Sequence, residues 1–164
     1  MDDAKKRNIK IGFDLLGNCQ LLNIYKTGFL CSRQIPADKI LKCYDWAIEQ
    51  REKGNCVISG FHSRIEKDVF HYLSKGDQPI ILVLARGLMR NYPPEIKRLL
   101  DKNQLLIISP FNHNVKRTSR KTAEVRNNLI IELANEIVVG FAKTGGNLES
   151  QLNNYCNTEL ITYL

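Results

Sequence analysis

Small and cationic residues recur along this sequence at places where they could hold a negatively charged ligand. Serine and glycine let a backbone approach a phosphate closely, helix N-termini present free N–H groups, and arginine pairs with two phosphate oxygens at once. Such residues follow nearly every apolar run of the chain, so we predict an anion site. Its candidate residues are Ser32, Arg33, Ser59, Gly60, His62, Ser63, Arg64, Arg126, Asn127, Gly145, Gly146 and Asn147.

A second basic group lies in residues 110–121, which are polar, lack periodicity and are interpreted as a long surface loop. These side chains would extend the anion site into a track for a nucleic-acid backbone. The net charge of +7, from 24 Lys and Arg against 17 Asp and Glu, also favours an anionic partner. The track residues are Lys116, Arg117, Arg120 and Lys121, and the candidates for base stacking are Phe61, Tyr92 and Phe111.

Several motifs of catalysis and metal binding are absent from the sequence. GxGxxG after a strand, GxxxxGK[ST] and GxSxG do not occur, which speaks against dinucleotide dehydrogenases, P-loop hydrolases and serine hydrolases. The three histidines lack metal-ligand spacing, so we predict no metal and no cofactor. The five cysteines are odd in number and form no CxxC pair, and we interpret them as reduced, mostly buried apolar residues.

The elements that must position these residues are short apolar runs alternating with amphipathic stretches, the pattern of an α/β fold. Predicted strands cover 27–32, 55–59, 79–84, 104–109 and 136–141, with a sixth at the edge over 159–164. Predicted helices cover 37–52, 122–134 and 147–156, with two more beginning at 63 and 92. Ligands of an open parallel sheet bind beyond the carboxyl ends of its strands, where the candidate residues lie. We therefore predict a three-layer α/β fold with a mainly parallel sheet of five or six strands.

The chain length of 164 residues suits one domain, and we see neither an internal repeat nor a linker. We predict a single domain over 1–164, in which residues 1–26 form an extension whose role the strand–helix pattern does not define. No apolar run approaches the roughly 18 to 20 residues of a membrane span, so we expect no membrane partner. The charged start, Met1–Asn8, leads into no signal-peptide core, which favours a cytoplasmic location.

The residues after the predicted strands resemble the motifs of the DNA-processing protein A family (DprA, also called Smf). Cys31-Ser32-Arg33 resembles the family's G-S-R, and residues 57–66 follow its S-G-x-A-x-G-[IV]-D segment. Residues 87–93 match its G-x-x-x-x-Y-P segment, Arg126-Asn127 its R-N pair, and residues 145–148 its S-G-[SA]-L. The order and spacing agree from about residue 27 to residue 152.

This resemblance implies a Rossmann-like core that binds single-stranded DNA, uses no cofactor and self-associates as a homodimer. The chain resembles a stand-alone core, because it is too short for the helical and winged-helix modules often found in full-length members. Three departures from the motifs stand out. Cys31 replaces a glycine, His62-Ser63-Arg64 replaces small residues, and Glu66 replaces an aspartate.

The broader superfamily includes lysine-decarboxylase-like nucleotide enzymes, whose P-G-G-x-G-T-x-x-E motif resembles residues 144–152. Leu152 stands at the place of that motif's glutamate, and Leu148-Glu149 replaces its Gly-Thr. Phosphoribohydrolase chemistry would therefore lack its acid/base group. We favour a binding protein over an enzyme.

Two functions remain open at this point. The first is non-catalytic binding of single-stranded nucleic acid, in DNA processing or uptake, with Arg33, Arg64 and Arg126 pairing with phosphates. The alternative is a module that binds or senses a nucleotide or a nucleotide-derived small molecule and does not need the basic loop. Such a sensor needs a closed pocket around Ser32, Ser59, Gly145 and Gly146.

Overall fold

The computed structural model describes residues 12–164, so the charged segment Met1–Asn8 lies outside the described residues. The strands are β1 (Asp14–Gly17), β2 (Lys26–Cys31), β3 (Cys56–Ser59), β4 (Ile80–Val83), β5 (Leu105–Ser109), β6 (Glu136–Phe141) and β7 (Ile161–Tyr163). The helices are α1 (Ala37–Lys53), α2 (Arg64–Leu73), α3 (Pro94–Asp101), α4 (Arg120–Leu133) and α5 (Asn147–Asn153). Short 3-10 helices lie at Cys19–Asn23 and Thr158–Leu160.

One sheet holds all of these strands in the order β1-β5-β4-β3-β2-β6-β7. Only β1 runs antiparallel, along β5, and the other neighbours are parallel. The structure therefore confirms the α/β class and the mainly parallel sheet. Within residues 12–164 the sheet has seven strands, one more than predicted, because β1 lies in the segment 1–26, to which the strand–helix pattern assigned no role. Strand β1 is only four residues long and mostly exposed, so its sequence shows no alternation of apolar and polar residues. Its formation depends on pairing with β5.

The core consists of two apolar layers, one on each face of the sheet. Successive strand residues point to opposite faces, so that Phe29 packs towards α1 and α2 whereas Leu30 packs towards α4 and α5. Strands β4 and β5 are buried along their whole length, as central strands of a parallel sheet are. These layers give the predicted three-layer architecture. Within residues 12–164, no helix is long and apolar enough to cross a membrane.

The helix that follows the basic loop begins two residues earlier than its periodicity indicates. Ser119 caps α4: its Oγ accepts the Thr122 backbone N–H at 3.1 Å, and Thr122 Oγ1 accepts the Ser119 N–H at 2.8 Å. Arg120 and Lys121 therefore belong to the first turn of α4 and not to a loop. Cations are unfavourable at this end of an isolated helix.

The order of the strands reverses beside β2. The chain runs from β2 through β3 and β4 to β5, and it then crosses back to place β6 on the other side of β2. Open α/β sheets bind ligands at such a switch point, beyond the carboxyl ends of the strands. The segments after β2, β3 and β6 meet there.

Candidate anion-binding site

A cavity of about 740 Å³ opens at this switch point. Its walls come from the residues after β2 and β3, the start of α4, and the segment that joins β6 to α5. Ligand pockets commonly enclose about 300 to 1,000 Å³. The cavity is therefore large enough for one nucleotide unit.

Many of the predicted site residues lie on the wall of this cavity, and others do not. Those on the wall are Ser32, Arg33, His62, Ser63, Arg126, Asn127, Gly146 and Asn147, with Arg120 from the predicted track. Those outside the wall are Ser59, Gly60, Arg64, Gly145, Lys116, Arg117 and Lys121.

Arg126 is the most unusual charged group of the cavity. Its side chain is only 6% exposed, although arginine is seldom buried without an acidic partner. Within residues 12–164, no carboxylate oxygen lies within 4.0 Å of its guanidinium, and its single hydrogen bond runs from Nε to Asn127 Oδ1 at 3.2 Å. Burial lowers the pKa of Arg126, and the charge of Arg33 adds to this effect while that of Glu66 opposes it. The remaining N–H donors are available to an anion in the cavity.

Gly60 lies directly behind this guanidinium. A Cβ placed on Gly60 would come 2.6 Å from Arg126 Nε and 2.7 Å from its Cζ. The absence of a side chain at the end of β3 therefore makes room for the arginine of α4. The next residue, Phe61, has a positive φ of 45°, a conformation that is unfavourable for a bulky side chain.

Glu66 fixes the two loops that bring Ser32 and His62 to the cavity. Its buried carboxylate accepts three backbone N–H groups, from Cys31 at 3.3 Å, His62 at 3.0 Å and Ser63 at 3.1 Å. Two of these bonds belong to the N-terminal cap of α2, in which Ser63 Oγ in turn accepts the Glu66 N–H. The capping pattern was visible in the sequence. The bond to Cys31, which links β2 to α2, was not.

A further hydrogen-bonded group connects the β2 and β6 sides of the cavity. The Lys143 backbone N–H donates to Ser32 Oγ at 3.0 Å, and Lys143 Nζ donates to Gln34 Oε1 at 2.9 Å. Lys143 lines the cavity and adds a cation that we did not predict. Across the opening, Arg120 Nη2 donates to Asn147 Oδ1 at 2.6 Å, which joins α4 to the start of α5.

His62 lies beside these cations. Its pKa is lowered, first by partial burial and then by the charges of Arg126 and Lys67, with a smaller effect of Arg33. Glu66 acts in the opposite direction. The imidazole is therefore neutral at pH 7, where it can donate or accept a hydrogen bond.

The predicted site residues that do not line the cavity are either buried behind it or exposed on the surface. Ser59 is fully buried, and its Oγ accepts the Phe61 N–H at 3.3 Å. Arg64 is exposed at the start of α2. Gly145 has a φ of 73° in an exposed turn, where its N–H donates to Glu149 Oε2 at 2.6 Å. The exposed side chains of Lys116, Arg117 and Lys121 flank the cavity residues Thr118, Ser119 and Arg120.

Two of the three proposed stacking residues are part of the core, so that prediction is wrong for them. Phe61 is buried against Phe70, with ring centroids 5.0 Å apart. Tyr92 is buried, and its hydroxyl accepts the Met89 N–H at 3.0 Å. Phe111 is half-buried, and its stacking role stays a prediction. Within the described chain, no group of three or more His, Cys, Asp and Glu residues is placed to hold a metal ion.

A mainly parallel sheet with helices on both faces and a cationic cavity at its switch point defines a Rossmann-like domain. The chain belongs to the DNA recombination-mediator protein A family, whose model matches residues 13–153. This match confirms the resemblance that the motifs indicated. No curated protein sequence matches the chain significantly.

Two solved structures share the fold. One is DNA processing protein A from Helicobacter pylori, with a TM-score of 0.73, 17% identity, and coverage of 92% of this chain and 70% of that one. That structure gives insight into the single-stranded DNA binding mode of the H. pylori protein. The other is DprA from Streptococcus pneumoniae, with a TM-score of 0.67, 22% identity and coverage of 86% of this chain. This chain spans about half of the S. pneumoniae protein, or 51%.

Proposed function

We propose that this chain binds single-stranded nucleic acid at the switch-point cavity without catalysing a reaction. The observation that carries the proposal is the buried Arg126 guanidinium, which has no carboxylate within 4.0 Å in the described chain and borders the cavity. A buried cation without a partner is unfavourable. A phosphate oxygen supplies both the missing charge and the missing acceptors.

The form of the cavity favours a single strand over a duplex. A nucleotide can insert into a cavity of this size only after it has left the base stack, which in a duplex requires unpairing. Arg33, Arg120 and Lys143 also line the cavity and can contact further phosphates of the strand. Family membership and the DNA-binding relative from H. pylori support the same class of ligand.

The basic track extends this surface beyond the cavity. Lys116, Arg117 and Lys121 are exposed and directly precede or follow the cavity residues 118–120 along the chain, so a strand that leaves the cavity can continue along them. Each phosphate that they neutralise releases counterions, which makes binding weaken with salt. A strand several nucleotides long should therefore bind more tightly than one nucleotide.

A binding role without catalysis agrees with the position of Leu152. This residue of α5, which stands where related nucleotide enzymes have a glutamate, is 2% exposed and packs in the core. The buried carboxylate of Glu66 is already occupied by backbone N–H groups.

We propose that the chain acts in DNA processing or uptake in the cytoplasm and requires no cofactor. We also propose that it forms a homodimer. Light scattering after size exclusion would test this oligomeric state.

A titration followed by fluorescence anisotropy tests the proposal. A labelled single-stranded oligonucleotide should bind at micromolar protein, and its affinity should fall steeply between low and moderate salt. The matching duplex should compete poorly. Absence of salt-dependent binding, or equal affinity for duplex and single strand, would reject the proposal.

The alternative is a nucleotide sensor, and the size of the cavity is the observation that favours it. About 740 Å³ accommodates one nucleotide, and the cavity wall includes neither Lys116 nor Arg117 nor Lys121. A sensor would thus bind a mononucleotide as tightly as an oligonucleotide. Comparison of the two ligands in the same titration distinguishes these functions.

A further inference from the structure

Two cysteines meet beneath the cavity. Cys31 is the last residue of β2, lines the cavity and is 7% exposed, whereas Cys43 lies in α1 and is fully buried. Both belong to the apolar layer on the α1 side of the sheet. Cys31 is also the residue that departs from the glycine of the family motif, so family resemblance does not explain it.

Gly140 of β6 provides the space in which the two sulfurs approach each other. A Cβ on Gly140 would lie 2.7 Å from Cys43 Sγ and 3.2 Å from Cys31 Sγ. The two neighbouring thiols influence each other: the proximity of Cys31 lowers the pKa of Cys43, and the proximity of Cys43 raises that of Cys31. Lys39 favours the Cys43 thiolate as well, although burial opposes it. Two sulfurs that approach the same point beside Gly140 are placed for disulfide formation, which begins when one of the thiols loses its proton.

We propose that Cys31 and Cys43 form an internal disulfide when a small peroxide enters the cavity, and that this crosslink weakens ligand binding there. The peroxide oxidises one thiol to a sulfenic acid and is itself reduced to water. The second sulfur then attacks the sulfenic sulfur, which forms the S–S bond and releases a second water. Together, two thiols and one hydrogen peroxide give one disulfide and two waters. A dithiol reductant reverses the change.

The effect on binding follows from what the end of β2 holds in place, and this part rests on the proposed function. The Cys31 N–H donates to Glu66, and the next residue, Ser32, bonds to Phe141 and Lys143. A disulfide fixes its two sulfurs about 2.05 Å apart, which is closer than two unbonded thiols can lie. The bond would therefore draw the end of β2 towards α1 and move Ser32 and Arg33, which line the cavity.

The test is peptide mapping of the whole chain after brief treatment with hydrogen peroxide and blocking of the remaining thiols. The expected product is one linked peptide pair that contains Cys31 and Cys43 and disappears on reduction. Cys43→Ser should abolish it. Cys56→Ser is the matched control, because Cys56 is equally buried but belongs to the layer on the other face of the sheet. The exposed Cys19 and Cys156 report oxidation at the surface.

Anisotropy on the same samples tests the second part. Oxidised wild-type protein should bind a labelled oligonucleotide severalfold more weakly, with recovery on reduction, whereas peroxide should leave the affinity of Cys43→Ser unchanged. A peptide map in which the surface cysteines are oxidised and Cys31 and Cys43 are not linked would overturn the proposal. A linked pair with unchanged affinity would overturn the effect on binding. If reduced protein does not bind the oligonucleotide, the proposed function fails, and the map still decides whether the disulfide forms.

Discussion

Gly60 and Arg126 are in direct contact, although they come from different elements: a Cβ on Gly60 would lie 2.6 Å from Arg126 Nε. Gly60 follows β3, and Arg126 lies in the second turn of α4. The glycine thus lets the guanidinium occupy a buried position at the edge of the cavity. The charge that we assign to ligand binding depends on this missing side chain.

Gly60→Ala should weaken oligonucleotide binding without unfolding the chain. Gly60 does not have a positive φ, so alanine suits its backbone, but the new methyl group must displace the Arg126 guanidinium. We expect a loss of about tenfold, equivalent to about 1.4 kcal/mol. Anisotropy gives the affinity, and thermal unfolding checks that the variant is folded.

A double-mutant cycle provides the control for this prediction. In the Arg126→Met background, Gly60→Ala should have almost no further effect on affinity, because the group that it displaces is gone. Additive losses would show that Gly60 contacts the ligand by itself.

Arg126→Met should leave the free energy of unfolding unchanged or raise it, by up to about 2 kcal/mol, because it removes a buried charge that lacks an ion pair. The methionine keeps most of the apolar stem in place. Urea denaturation followed by circular dichroism measures the difference. A clear loss of stability would mean that Arg126 serves the fold and not a ligand.

The Glu66 carboxylate should matter mainly for stability. Glu66→Ala leaves three backbone N–H groups, two of them buried, without an acceptor, so we expect a loss of about 2 to 4 kcal/mol in the free energy of unfolding. Glu66→Gln keeps an oxygen acceptor suited to the helix cap and should lose less than half as much. Equal effects of the two substitutions in urea denaturation would contradict this assignment.

The pKa of His62 reports on the neighbouring charge of Arg126. Its folded value is lowered from 6.5 by burial and by Arg126, so the unfolded state takes up a proton first as the pH falls. His62 therefore reduces stability as the pH falls below about 6.5 and has no such effect above it. Arg126→Met should raise this pKa, and so should a bound phosphate. NMR titration of the His62 imidazole measures both shifts, and a pKa that does not respond to Arg126→Met would place the two groups apart.

The basic track separates the two candidate functions. Reversal of the charges at Lys116, Arg117 and Lys121 to glutamate should abolish oligonucleotide binding and leave mononucleotide binding within about twofold, because these residues lie outside the cavity. Arg120 is left unchanged, since it lines the cavity. Unchanged oligonucleotide affinity would favour the sensor.

The sequence predicted those features that depend on local patterns. Continuous apolar runs such as Ile80–Val83 identified the central strands, and many of the residues after the strands lie at the edge of the sheet where the cavity opens. Ser32, Arg33 and Gly146 reach the cavity for this reason.

The remaining features depend on contacts between distant segments. Burial of Phe61 and the position of Gly60 behind Arg126 follow from how α2 and α4 pack on the sheet, which no local pattern encodes. Lys143 reaches the cavity because its backbone bonds to Ser32 across the two strand ends. Strand β1 forms only because β5 offers a free edge.

The oligonucleotide affinity of Arg126→Met, measured by anisotropy at one low salt concentration, tests the central claim most directly. Lys97→Met is the matched control, because it removes one positive charge from an exposed site on α3 outside the cavity. We predict that Arg126→Met weakens binding by about 1.5 to 3 kcal/mol, the value of a charge-assisted phosphate contact, and that the control stays near wild type. A folded Arg126→Met protein with wild-type affinity for both oligonucleotide and mononucleotide would contradict the account.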